Sequence, residues 1–146
     1  MKKGCFILFV VVITLSLTFC HVIGTMAQGS QNQVASLTAP LTVDQLSVCR
    51  NIVDHEPVES GDRFEATAGK LYCFSKVLGA TDPVEITHVW YFNDVERARV
   101  DLPIRSASWR TYSSKVIQLF EVGNWRVDVL GPNGEVLKSQ AFSITK

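Results

Sequence analysis

The stretch Val84–Ile104, VEITHVWYFNDVERARVDLPI, decides the fold. Val84, Ile86, His88, Trp90 and Phe92 fall on one side of an extended chain, and Glu85, Thr87, Val89 and Tyr91 on the other. Asn93-Asp94 then interrupts as a turn pair, Asp having a side chain suited to it. The alternation resumes with Ala98, Val100, Leu102 and Ile104 set against Arg97, Arg99, Asp101 and Pro103. Two period-two runs joined by a polar turn predict two strands with one buried and one wet face. Pro103 cannot donate to a ladder, so it marks an edge strand or the end of pairing.

Working outward, the same alternation recurs. Lys70–Val77 is rich in β-branched and aromatic residues and is bounded by Gly69 and Gly79, which predicts a strand. Leu46–Val53 reads as the first strand, and Asp62–Ala68 as a short one around Phe64. Trp109–Phe120 reads as one strand, and Trp125, Val127 and Val129 alternate with Arg126, Asp128 and Leu130. Gly131-Pro132-Asn133-Gly134 is a hairpin signal, since Asn-Gly tolerates positive φ. Glu135–Thr145 closes the chain, placing Val136, Phe142 and Ile144 toward the core across a mid-strand slip. No stretch carries a helical period. Seven or eight short strands with frequent turns predict an all-β, antiparallel, immunoglobulin-like sandwich. A small closed β-barrel is the alternative.

The beginning of the chain reads differently. Met1-Lys2-Lys3 precedes an apolar run, Cys5–Ile23, and small residues lie near Ala27. Such a run partitions into a membrane while the lysines stay behind, as in a secretory signal helix, with cleavage expected after Ala27. Lipidation at Cys20 and an uncleaved anchor are the alternatives; Phe19 stands where a lipoprotein signal needs a small residue. Residues 28–43, rich in Gln, Ser, Ala and Thr, read as a flexible tether. Residues 44–146 then form one domain with a single core.

The chain has fourteen Lys and Arg against fourteen Asp and Glu. Without residues 1–27, twelve basic side chains face the fourteen acidic ones. That mildly acidic balance argues against nucleic acid as a partner. Two of the four cysteines, Cys49 and Cys73, lie beyond the signal. An even pair in an exported domain predicts a disulfide, which would close a loop of roughly 24 residues and contribute about 3 kcal/mol. Two buried thiols are the alternative. A metal pair lacks any further ligand spacing to complete it, and no metal or cofactor is expected.

Taken together, VCRNIVDHEPVES, KLYCFSKVLGA, ITHVWYFNDVERARVDLPI, SWRTYSSKVI and GNWRVDVLGPNGEVL resemble the bacterial family known as domain of unknown function 2914. The resemblance spans about residues 46–144. It implies a small exported or membrane-attached β domain and brings no catalytic residues with it.

Few residues offer chemistry. His88, mid-strand, reads either as a proton carrier or ligand or as a half-buried ring bonded to a carbonyl, and the second reading is favoured. Trp90 and Trp125 read as core. Trp109, Arg110 and Tyr112 read either as a cap on the sandwich or, with Arg97, Arg99 and Arg126, as an open platform. On such a platform rings would stack on sugar or chain segments and guanidinia would grip carboxylates or phosphates. No nucleophile elbow, Walker loop or zinc-protease motif occurs. The sequence thus predicts an exported, non-catalytic binding or accessory module of the bacterial periplasm or cell envelope. Its partner would be an envelope glycan, peptide or protein, and it would touch the membrane only through an uncleaved N-terminal segment. Docking by strand addition, or a hydrolase centred on His88, are the alternatives.

Overall fold

The computed structural model describes residues 40–146, so the expectations for residues 1–27 and most of the tether lie outside the described residues. The described residues form nine strands: β1 (Thr42–Val53), β2 (Glu56–Ser60), β3 (Arg63–Glu65), β4 (Lys70–Leu78), β5 (Val84–Phe92), β6 (Val95–Ile104), β7 (Ser108–Val116), β8 (Gly123–Leu130) and β9 (Val136–Thr145). A single 3-10 turn, Ala66–Ala68, joins β3 to β4. β1 begins at Thr42, inside the expected tether, because Val43 pairs with Val77 and is buried in the core.

Two sheets pack face to face. The first runs β2-β1-β4-β7 and the second β3-β9-β8-β5-β6. All ladders are antiparallel except β3 with β9. β1, β4 and β7 stand where strands A, B and E stand in an immunoglobulin fold; β5, β8 and β9 stand where C, F and G do. The sheets do not close into a barrel.

The inner rows are those the alternation predicts for the central strands. Ile86, His88 and Trp90 of β5 face Val127 and Val129 of the neighbouring β8 positions, and Leu71, Cys73 and Val77 of β4 face them from the other sheet. Phe142 of β9 gathers the aromatic rings of the second sheet, lying 6.0 Å from Trp125, 6.2 Å from Trp90 and 6.1 Å from Phe64 between ring centres. Val136 is exposed, contrary to the sequence reading. The β8–β9 pairing skips a residue between Lys138 and Val136, and Leu137 instead packs against the core. The turns at Asp54-His55 and Asn93-Asp94 hold both residues at positive φ, between 47° and 64°. This is the geometry whose twist matches two-residue hairpins.

The expected Cys49–Cys73 disulfide is corrected: both side chains are buried free thiols. Val48 lies opposite Cys73 and Cys49 opposite Tyr72. Directly opposed residues share a face and successive ones alternate, so Cys73 points into the core and Cys49 points away from it. The immunoglobulin position that would supply a sulfur to Cys73 is on β8, whose inner face carries Val127 and Val129.

The β1–β2 hairpin does not lie flat. Arg110 of β7 is level with Lys76 and Gln45, whereas Glu56 of β2 pairs with Val53 near the hairpin tip. In a flat sheet these residues would stand about 14 Å apart across the strands and about 26 Å along them. Yet Arg110 Nε lies 2.9 Å from Glu56 Oε1. The hairpin must therefore arch back over the outer face of the first sheet. Phe74, flanked by Ser47 and Tyr112 on that outer face, is fully buried, and so is Cys49 at the base of the arch.

These placements predict how the thiols react. In the full-length protein, alkylation resolved by peptide mass spectrometry should reach Cys49 through opening of the arch, and Cys73 only on global unfolding. Glu56→Ala removes an exposed ion pair worth up to about 1 kcal/mol. It should speed Cys49 labelling by up to roughly five-fold and leave Cys73 unchanged. A Cys49–Cys73 bridged peptide, or equal acceleration at both, would contradict this arrangement.

Candidate functional site

The polar group at the centre of the sandwich is a chain of side-chain hydrogen bonds. His88 from β5 meets Ser75 from β4 at 2.7 Å through Nε2, and Ser113 from β7 at 2.8 Å through Nδ1. Trp90 Nε1 donates to the same Ser113 oxygen at 3.0 Å. Each serine hydroxyl can donate to the ring or accept from it, so a neutral imidazole is satisfied at both nitrogens. Burial pushes the His88 pKa down to about 4, because nothing beside the ring repays desolvation of a charge. The imidazole has two hydroxyls within reach and no carboxylate in this network, and its side chain is fully buried. The chain of bonds stitches the two sheets across their core.

The proposed platform residues do not share one surface. Trp109 is level with Val77 and turns inward, packing half-buried against the core. Arg110 and Tyr112 alternate with it and lie on the outer face, where Tyr112 meets Tyr72 edge-on at 6.0 Å. Arg99 lies on the outer face of the other sheet, opposite Val89, and forms a two-pronged pair with Glu96 at 3.1 Å. Arg126 on that same face stacks over Tyr91 at 4.5 Å and binds both Asp94 and Asp128. Arg97 follows neither row: its guanidinium sits over Phe92 and 3.7 Å from Glu121.

Glu121 organises a feature that the sequence reading missed. The run Trp109–Phe120 ends as a strand at Val116, and a reverse turn follows. Glu121 N donates to the Gln118 carbonyl at 2.9 Å, and the Glu121 carboxylate accepts from Gln118 N at 2.9 Å. Trp125 Nε1 donates to the Glu121 carbonyl at 3.1 Å, and Ile117 N donates to the Gly69 carbonyl. The carboxylate is nearly buried, with Arg97 and Lys115 on either side at 3.7 and 3.9 Å. These ties fix the turn and leave its tip outward: Leu119 is 72% and Phe120 79% exposed. Two adjacent bulky apolar residues beside Glu-Val-Gly break the period of two, and that break is the signal in the sequence.

Tyr112 and Val116, also exposed, continue the apolar row back along the outer side of β7. β7 is an outermost strand of its sheet and pairs only with β4 among the described residues. The remaining edges are less open. β2 has five residues including Pro57, β3 has three, and β6 carries Glu96, Arg97, Arg99, Asp101 and Pro103. Charges and proline on an edge are ordinary protection against pairing. Two clefts open elsewhere. One of about 280 Å³ is lined by Asn93, Asp94, Asn124 and Arg126, and one of about 270 Å³ by Leu41, Gly79–Val84 and Pro132. Among the described residues no group of three His, Cys, Asp or Glu is placed to hold a metal, and no helix is long and apolar enough to cross a membrane.

The architecture defines an immunoglobulin-like β-sandwich domain whose long open edge is β7. The model of the family described as "Protein of unknown function (DUF2914)" matches residues 83–144, so this part of the chain is similar to that family. The match spans β5 to β9 and starts after β4, so it is shorter than the stretch over which the sequence resembles the family. No curated protein matches the chain.

The His88 cluster sets a pH response. The folded pKa lies below the ordinary value of about 6.5, so the unfolded chain binds the proton first and stability falls as pH drops through 6.5 toward 4. Denaturant titrations should show about 3 kcal/mol lost across that window, a loss absent in His88→Asn. Asp44, held low by its hydrogen bond from Lys76, contributes below that window. An equal slope in both proteins would show that His88 takes up its proton without unfolding.

Proposed function

We propose that the protein is a non-catalytic binding or accessory module of the bacterial cell envelope, which docks on a protein partner through β7 and the turn after it. The observation that carries this reading is the set of exposed apolar residues Tyr112, Val116, Leu119 and Phe120 along an edge strand nine residues long and the turn after it. An open edge supplies main-chain donors and acceptors in register, and flanking apolar side chains supply burial when a strand is added. Isolated apolar residues on a surface mean little, whereas four exposed along one edge strand and the turn that ends it favour a contact surface. Of the residues singled out in the sequence, Arg110 and Tyr112 belong to this surface. The hydrolase alternative gains no support, because the His88 imidazole is sealed in the core. Export and an envelope setting rest on the apolar N-terminal run, Cys5–Ile23.

Single cysteines at 112, 119 and 120, with Ser139→Cys on the far sheet as a control, test the docking surface. In intact envelopes a bulky maleimide should be blocked at the first three positions and react at the control. All four should react in the purified, diluted protein. Equal reactivity of all four in the envelope would remove β7 as the docking surface.

A further inference from the structure

We infer that the strand added to β7 is the β7 of a second copy of this chain, paired antiparallel about a two-fold axis at Tyr112. This rests on the reading of β7 as the docking edge and names its partner.

The charges on β7 point to a neutral partner strand. Its only ionised side chains, Arg110 and Lys115, already face Glu56 at 2.9 Å and Glu121 at 3.9 Å within the same chain. A strongly charged segment would have to displace those partners. A second β7 brings no like charges into opposition, the arrangement that destabilises a pair. With the axis at Tyr112, Arg110 falls opposite Ser114 of the second copy and Trp109 opposite Lys115. Thr111 falls opposite Ser113, and the two Tyr112 side chains face each other on the outer side. Any slip by an odd number of residues would put inward and outward rows on one face.

The ends of the strand are complementary as well. Leu119 and Phe120 project just beyond Val116, where β7 ends. In the antiparallel pair they extend past Ser108 of the second copy. Ser108 is level with Leu78, and the apolar cleft lined by Leu41, Gly79–Val84 and Pro132 begins at the next residue. A two-fold arrangement repeats this contact at both ends and closes on itself, as symmetric dimers require.

The test uses the full-length protein in the cells that express it. Directly opposed residues on antiparallel strands lie about 4.5–5.5 Å apart at Cα, within the span a disulfide bridges. Mild oxidation of Tyr112→Cys should give a reducible dimer of twice the chain mass, absent from the parent protein and from Ser139→Cys. Arg110→Cys and Ser114→Cys, opposed on the outer face, should cross-link to each other when expressed together and not when expressed singly. Melting at the parent temperature shows that each variant is folded. Absence of self-cross-linking while position 112 stays shielded from maleimide would overturn the second copy and leave the docking edge standing. Absence of cross-linking with position 112 fully reactive would overturn both.

Discussion

One register, that of β4 between β1 and β7, decides where every side chain of interest points. Val48, Cys73 and Ser113 are aligned across three strands, and so are Ser47, Phe74 and Tyr112. Because side chains alternate at every residue, a slip by one would turn Leu71, Cys73 and Val77 to the outside and bring Lys70, Tyr72 and Lys76 into the core. Burying two ammonium groups without partners would cost several kcal/mol each, far more than any single surface contact could recover. The same alignment delivers Ser75 and Ser113 to the two nitrogens of His88, which bonds them from the opposite sheet. Apolar packing sets the register, and the buried hydrogen bonds then specify it, since a displaced strand would leave an imidazole and an indole N–H unpartnered.

The two faces of the first sheet have different fates. Its inner face is closed by the second sheet. Its outer face is covered by the chain's own β1–β2 arch, held at its tip by the exposed Glu56–Arg110 pair. The arch and the turn at Glu121 lie on either side of Tyr112 along β7: Arg110 precedes it and Val116 leads to the turn. Local ion pairs therefore neutralise this edge while leaving its main chain and its apolar row outward. Those are the properties of a surface that recognises shape and backbone ahead of charge.

Period-two alternation made much of this legible in the sequence. It gave β4, β5 and β6 nearly to the residue, placed Trp90 and Trp125 inside, and even separated Trp109 from Arg110 and Tyr112, although composition suggested grouping them; His88, expected half-buried on a carbonyl, is instead fully buried between two serine hydroxyls. What it did not give depends on non-local contacts. Thr42 and Val43 are strand only because Val77 and Leu78 stand opposite. The arch of β1 and β2 depends on Arg110, more than fifty residues further along the chain. Cys49 and Cys73 form an even pair in composition, and only the β1–β4 register shows that they face opposite ways. Glu121 looks like a surface acid in sequence, yet it is buried by the turn it holds, with Arg97 and Lys115 brought to it from two other strands.

The β4 register is most directly tested by through-space contacts between backbone protons of opposed residues in solution. Cys73 should show contacts to Val48 on one side and to Ser113 on the other. Contacts that instead set Cys73 opposite Cys49 would bring both sulfurs to one face, turn the β4 rows around, and contradict the buried histidine and the outward row of β7 together.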